Sequence, residues 1–554
     1  MSGSVVLGLA LGDDGAACLV VDGVPRVAIA NERLTRRRAA GADVRGAGVP
    51  TEAVRYCLDA LGMNASDVDL VVASVATADP VRQSDVRAGL PEFAETPVQL
   101  VGAHRAHAAS VVALCGDAPA RIIVADGGGS TGPDLRRELT SLFDWDGSRL
   151  ERLATVTDHP RAGGNSLGGF YRLITRVLGF GPGEQGKTMG LAGYARSRPG
   201  WQPLPQLREA IRVGPGFTHE VAAPFRPDPP GHHPELTGWF GPPRPSLGGE
   251  HPLRDLDLQV AASAQWVLEE ALLGLVAERG NPAPATLGLA GGVALNCVAN
   301  ARILREAGIE RLVVPPAAGN DGCALGAALF GAWKLTGGRP PGPPQWVTPY
   351  LGRSYGCNEI NAAVHAQTGA RQVVSRPGDT VAALVADLLA GRVTAVFRGG
   401  SEFGPRALGH RSILADPRPA ATKDLVNVDV KHRERFRPFA PMVPQERAAE
   451  FFELSVPSPY MLLTARVRRP DLLPAVTHVD GTARVQTVSV QQEPWLHRLL
   501  TDFGAATGVP VLLNTSFNDR EPIVETPGDA LRCVNTTGIE VLYLEDQRVA
   551  RVRD

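Results

Sequence analysis

VVLGLALGDDGAACLVVDGVPRVAIANE, running from Val5 to Glu32, reads as strand, turn, strand, turn, strand. Residues Gly12 to Gly15 make the first turn and Asp22-Gly23 the second. An Asp-Gly pair suits the left-handed backbone of a two-residue hairpin. Further along, Leu70 to Ala73 forms a short apolar strand, and a third, RIIVAD, ends at Asp126 in Gly127-Gly128-Gly129-Ser130-Thr131. Asp257 to Glu278 carries apolar residues at helical spacing and predicts one long helix. From Leu287 the chain reads as a strand, then a glycine turn at Ala290-Gly291-Gly292, then a helix. Strands alternating with helices place the chain in the α/β class.

The 554 residues suggest roughly two to four domains at ~100–200 residues each. Hydrophobic content of 44% with 21% charged residues is ordinary for a globular enzyme. A formal net charge of −2 gives no general attraction to nucleic acid. Only four of the 56 basic Lys and Arg residues are lysines (Lys187, Lys334, Lys423, Lys431). The seven cysteines are odd in number and show no CxxC spacing, which disfavours a disulfide framework or a cysteine zinc site. No leader pattern and no run of ~18 apolar residues is evident, so a cytoplasmic protein without a membrane span is expected. A Pro/Gly-rich connector at 341–351 divides an expected first domain, 1–340, from a second, 352–554. Pro224 to Pro245, with His232, His233 and the nearby His251, reads as a loop or lid in preference to a metal site.

A strand ending in a carboxylate and a glycine-rich turn makes a phosphate or cation platform, because bare glycine N–H groups accept close approach. Asp126 with Gly127 and Gly128 fits that description, as does the turn Gly291-Gly292, which opens a helix. Two such turns, with hairpins at one end, resemble the actin-like ATPase superfamily. His104 and His107 are three apart and share a helical face, as metal ligands do. The plainer alternative is one buried, satisfied histidine and one exposed.

The C-terminal half is denser in chemistry. GGSEFGPRALGHRS begins at Gly399, and KHRERFRPFAP begins at Lys431. Arg398, Arg406, Arg411 and Arg418 alternate with glycines; Lys431, Arg433, Arg435 and Arg437 follow, then Arg484 and the run Asn514-Thr515-Ser516-Phe517-Asn518. Arginine forks and lysine point charges bind phosphate oxygens. Glu402, Asp416, Asp429 and Glu434 offset part of the positive charge. A salt-bridge network on a solvated face is the competing reading.

The strings GEQGKTMGLAGYA, LAGGVALNCVAN, EFGPRALGHRSILADPR, KHRERFRPFAP, HVDGTARVQTV and LLNTSFNDREPIVETP, in that order, resemble the NodU/CmcH family of O-carbamoyltransferases, which modify antibiotics and nodulation factors. The resemblance covers nearly the whole chain. It implies an N-terminal actin-like (ASKHA) domain similar to the tRNA threonylcarbamoyl-transferase subunit, and a C-terminal YrdC-like α/β domain. It implies ATP with Mg²⁺, carbamoyl phosphate and a small-molecule acceptor, with no nucleic acid and no membrane. Arg406, Lys431, Arg437, Arg484, Asn514 and Ser516 match the positions that hold ATP and carbamoyl phosphate. Asp126, Gly127, Gly128, Lys187, Gly291, Gly292, Asn296 and Asn320 match those that receive carbamoyl-adenylate.

The chain departs from the family in its first domain. Asp13 stands where a histidine is usual, and would act as the base together with Arg38 and His107 as the catalytic set. Arg38 replaces a lysine, Ala103 replaces the first histidine ligand, and Asn320 replaces a carboxylate ligand. Of the ligands for the implied Fe²⁺ or other divalent metal, His107 and Asp126 remain, with His104 and Asp321 each one position from a lost one. A hydroxyl or an amine acceptor, a homodimer and a partner subunit all stay open. So do two alternatives: a non-transferring subunit of a heteromeric enzyme and, further off, a tRNA-modifying enzyme.

Overall fold

The structure is a computed structural model that describes residues 3–12, 14–38, 48–76, 81–132, 134–159, 164–226, 234–242, 253–278, 285–337, 348–367 and 372–552. Its contacts divide into two units: Met1–Asn31 with Ala39–Val347, and Glu32–Arg38 with Thr348–Asp554. The short segment Glu32–Arg38 thus packs with the C-terminal unit, although sequence reading placed it in the first domain. Most of the Pro/Gly-rich connector lies outside the described residues, as do Asp13, His232, His233 and His251.

The first unit holds two five-stranded sheets. In one, β1 (Val5–Leu11), β2 (Ala16–Val21) and β3 (Val24–Ala30) run as antiparallel hairpins, and β4 (Leu70–Val75) and β5 (Val98–Gly102) add in parallel beyond β1. Asp22 and Gly23 both adopt positive φ, 52° and 75°, as the hairpin requires. The second sheet repeats the plan with β6 (Ala120–Ala125), β7 (Arg137–Trp145), β8 (Leu150–Asp158), β11 (Thr286–Ala290) and β12 (Arg311–Val313). Again two antiparallel pairings follow the first strand and two parallel strands sit on its other side. The two sheets thus share one strand order.

A small hairpin, β9 (Ile211–Gly214) and β10 (Thr218–Val221), carries the buried His219. The segment read as a loop or lid includes a helix, Pro234–Phe240, whose Trp239 packs on Phe225 at 5.7 Å. The long helix runs from Asp255 to Ala277. It is long and apolar enough to pass as a membrane span, yet 72% of its apolar window is buried within the fold, as in a core helix. Its Glu269 is buried and bonded to Arg196 and Arg302.

In the second unit β13 (Gln372–Ser375), β14 (Thr394–Phe397), β15 (Arg411–Ala415), β16 (Ala440–Pro444), β19 (Gln486–Val488), β20 (Leu512–Ser516), β21 (Val541–Leu544) and β22 (Gln547–Arg551) form one eight-stranded mixed sheet in the order β13-β22-β21-β14-β15-β20-β16-β19. A separate pair joins β17 (Thr464–Arg466) to β18 (Thr482–Arg484). Side chains alternate faces along each strand. Ile413, Ala415 and Leu513 therefore pack on one face with Ile360, Val364 and Leu531. Leu414 and Leu512 point to the other, against Leu384, Leu496 and Leu499 of the helices Thr380–Leu389 and Pro494–Thr507.

Candidate functional site

In the first unit the strand β6 delivers Asp126 to a buried turn. Ser130 organises that turn: its hydroxyl donates to Val75 O at 2.5 Å and accepts the N–H of Ala103 at 2.8 Å. This fixes the start of the helix Ala103–Cys115, which bears His104 and His107. Arg137 holds the turn from outside, donating to the carbonyls of Gly128 and Gly129, each at 2.9 Å. Sequence reading missed Arg137, which sits eight or nine positions beyond the turn and only meets it because β7 folds back.

Both histidines are fully buried, so neither is the exposed one of the plainer alternative. His104 Nδ1 shares a 2.7 Å hydrogen bond with Ser141 Oγ, and burial lowers its pKa to about 4. His107 Nε2 lies 3.5 Å from Asp126 Oδ2. Burial opposes protonation of His107, but Cys323 and Asp126 beside it outweigh burial and raise its pKa. The same contact holds the Asp126 carboxyl below its usual range against burial. Among the described residues no three His, Cys, Asp or Glu side chains converge as an ion-holding set. A transition-metal site needs three or four protein ligands. His107 and Asp126 pair with each other here, and His104 and Asp321 do not complete a set with them. The donors therefore do not fit the divalent-metal centre implied by the resemblance.

The turn Gly291-Gly292 follows β11, the parallel neighbour of β6, and a methyl on Gly292 would stand 3.2 Å from Asp126 Oδ1. The structure thus brings Asp126, Gly127, Gly291 and Gly292 together. Asn296 is committed elsewhere: it caps the helix Cys297–Glu306 through Ala299 N at 3.0 Å and exchanges two bonds with Gln265. Lys187 pairs with Glu184 at 2.6 Å and lies over Phe180. Asn320 reaches Asp14 Oδ2 at 3.4 Å.

His219 makes an independent check on this unit. Its Nε2 meets Thr140 Oγ1 at 2.8 Å, and burial lowers its pKa from 6.5 to about 4. Between those values the unfolded chain binds the proton and the folded one does not. Its contribution is therefore complete above pH 6.5 and is lost as pH falls toward 4. We expect thermal melting to show that decline, and His219→Gln to make it shallower, with buried His104 supplying the remainder over the same range.

In the second unit the basic strings divide between side chains that support the fold and a crowded cationic group. Arg398 pairs with Glu493 at 3.0 Å, and Arg418 with Asp416 at 2.7 Å. Arg411 has no exposed surface; it donates to the carbonyls of Arg398 and Gly399 and lies 3.6 Å over the Phe397 ring. These three hold the fold. Among the described residues Glu402 pairs with no arginine. Its Oε1 gathers the backbone N–H groups of Leu408, His410 and Arg411 at 2.7, 2.8 and 3.2 Å.

The segment bearing Lys431 leaves a π-helical turn, Val426–Val430, a deformation that recurs at functional sites. Asn427 then ties the segment down, binding Arg433 Nε at 2.8 Å and the Arg437 carbonyl at 3.1 Å. Lys431 is buried beneath it and donates to the carbonyls of Ser516 and Asn518 at 2.8 and 2.7 Å. Its protons therefore serve the Ser516–Asn518 turn, and burial beside Arg433 and Arg437 depresses its pKa strongly. Arg433 is likewise depressed, by burial and then by Arg437 and, more weakly, Arg484, with Glu434 opposing. Lys431, Arg433, Arg437 and Arg484 thus form one cationic cluster, with Ser516 bonded to Lys431 at its side. Asn514 lies apart from it, donating to Ala407 O at 3.2 Å and Gln486 Oε1 at 2.7 Å, and so steadies the loop that carries Arg406.

Family models described as Carbamoyltransferase N-terminus and Carbamoyltransferase C-terminus match residues 90–329 and 385–551. Nodulation protein NolNO of Sinorhizobium fredii is 34% identical over 98% of this chain and 80% of its own. The chain belongs to the carbamoyltransferase family. This carbamoyltransferase is also 34% identical to an uncharacterized protein of Synechocystis sp., over 97% of the chain and 95% of that protein. It is 36% identical to a 3'-hydroxymethylcephem-O-carbamoyltransferase of Streptomyces clavuligerus, over 50% of the chain and 51% of that enzyme. Of solved structures, full-length HypF in its phosphate- and nucleotide-bound form aligns with 60% of this chain and 56% of its own, at 14% identity and a TM-score of 0.35. Family membership makes the protein a transferase.

Proposed function

We propose that this carbamoyltransferase activates carbamoyl phosphate with ATP in its C-terminal unit and passes the carbamoyl group to a small natural-product hydroxyl, or an amine, in its N-terminal unit. Water converts carbamoyl phosphate to carbamate and phosphate. A carbamate oxygen then attacks the α-phosphorus of Mg²⁺-bound ATP and displaces pyrophosphate, leaving carbamoyl-adenylate. The acceptor oxygen or nitrogen attacks its carbonyl carbon, AMP departs, and the acceptor proton goes to a base, for which Asp13 is the candidate.

The observation that carries this reading is the crowding of Arg433, Arg437, Arg484 and Lys431. Arginine does not shed its proton in proteins, so a crowded, half-buried group of arginines is relieved by an anion. Arg437 and Arg484, with Arg406, are the proposed phosphate ligands; Lys431 supports the turn at Ser516, and Asn514 steadies the loop that carries Arg406. The duplicated strand order of the first unit supports an actin-like transfer domain, with Asp126, Gly127, Gly128, Gly291 and Gly292 as its adenylate platform. A YrdC-like activation domain is proposed for the second.

Incubating the purified chain with ATP and carbamoyl phosphate is expected to yield AMP and pyrophosphate in equal amounts, with neither formed when carbamoyl phosphate is omitted. ADP as the product, or no product at all, would overturn the reading. Asp13→Ala is expected to spare AMP formation and slow transfer to an acceptor about 10²-fold or more. The Asp13, Ala103 and Asn320 departures also favour a second reading, a subunit that activates but does not transfer. Carbamoylation of any acceptor by the isolated chain excludes it.

A further inference from the structure

Arg33 lies in the segment Glu32–Arg38, which packs with the C-terminal unit. Its side chain is buried, at 3% exposure. Nη2 donates to Gly404 O at 2.8 Å, while Nη1 is buried without a hydrogen-bond partner. Arg36 secures the segment, donating to the carbonyls of Ile523 and Pro522 at 2.7 and 2.6 Å and to that of Arg33 at 3.2 Å. A charged donor spent on one backbone carbonyl at low exposure is a costly arrangement unless that carbonyl has to stay in place.

The anchors of the loop explain why it does. Glu402 collects the N–H groups of Leu408, His410 and Arg411. Leu408 O accepts from Gln486 Nε2 at 2.7 Å and from the Tyr350 hydroxyl at 3.0 Å. Ala407 O accepts from Asn514. All of these anchors act from Ala407 onward. Upstream, Gly404 has a φ of 118°, a conformation with little intrinsic preference, and Pro405 has no N–H to tie down. Phe403, just before Gly404, donates its N–H to Pro349 O at 2.7 Å, and Arg33 supplies the hold on the Gly404 carbonyl itself. The two carbonyls that flank the Pro405-Arg406 pair are thus fixed by Arg33 on one side and Asn514 on the other.

We propose that Arg33 is a positioning residue for carbamoyl activation: by holding Gly404 O it fixes the backbone that aims Arg406. This rests on the adenylate-forming reading above. The test compares Arg33→Met, Arg33→Lys and, as an exposed control, Arg37→Ala in the full-length protein. Pyrophosphate release is measured with and without added guanidinium ion, and hydrogen exchange is followed at residues 402–411. Arg33→Met is expected to lower kcat about 10- to 100-fold, as small misplacements do, with KM for ATP little changed. Exchange at Phe403, whose N–H donates to Pro349 O at 2.7 Å beside the held carbonyl, rises while the rest of the unit is unaltered. Arg33→Lys and added guanidinium each restore part of the rate, and Arg37→Ala matches the wild type. Unchanged turnover in Arg33→Met overturns the proposal, as does lost turnover with unchanged exchange in the loop. If Arg33→Met opens the whole unit, Arg33→Lys decides: wild-type loop exchange with partial activity supports the proposal, and wild-type activity with raised loop exchange overturns it. Were the wild type to form no AMP, the adenylate reading would fall, while loop exchange alone would still judge whether Arg33 positions this loop.

Discussion

Arg437→Ala is expected to abolish carbamoyl-phosphate-dependent pyrophosphate release, lowering kcat/KM about 10²- to 10³-fold, the usual effect of deleting one preorganised donor to developing charge. The backbone at this position is held independently of the side chain. Its N–H donates to Glu434 O at 3.2 Å and its carbonyl accepts from Asn427 at 3.1 Å. Truncation therefore removes the guanidinium without moving the segment. It also relieves the burden on Arg433, whose depressed pKa owes more to Arg437 than to any other charge. The melting temperature is expected to stay level or rise while activity disappears. A parallel fall in both would mean that Arg437 supports the fold, and full activity would remove it from the site.

Gly291→Ala is expected to cost about 3 kcal/mol or more, read as a large drop in melting temperature or loss of soluble protein. Gly291 has a φ of 85°, and a methyl there would meet Ala125 O at 2.2 Å. The obstacle is backbone of the neighbouring strand, so no side-chain rotation relieves it. Displacing Ala125 also displaces Asp126 and the turn beyond it. Gly238→Ala is the contrasting case: it lies in the helix Pro234–Phe240 with no atom within 4 Å of a new methyl. That change is expected to leave stability level or raise it by up to ~1 kcal/mol, from helix propensity. Equal melting of the two variants would show that the β6–β11 contact is looser than described.

What could be read from the sequence was local. The Asp22-Gly23 hairpin, the strand ending at Asp126, the turn at Gly291 and the long helix each rest on residues adjacent in the chain, where turn chemistry and periodicity act. The cationic cluster was legible as composition, because Lys431, Arg433 and Arg437 crowd one segment. Its division of labour was not. Lys431 and Arg411 look alike to Arg437 as charges, yet one supports the turn at Ser516 and the other sits over Phe397, and each assignment depends on contacts outside its own segment. Arg33 is the extreme case, since its partner Gly404 is 371 positions away. Ligand spacing likewise says nothing of whether a third ligand arrives, and here His107 meets Asp126.

The chain enters the C-terminal unit at Glu32, leaves it after Arg38, and returns at Thr348. Neither unit is therefore one uninterrupted stretch of gene. A single recombination event near the Pro/Gly-rich connector would deliver a C-terminal half without Arg33 and Arg36, and a donor N-terminal half would have to bring compatible replacements. The two halves are tied to descend together, and shuffling either one between relatives succeeds only if the seven residues from Glu32 to Arg38 travel with the C-terminal partner they fit.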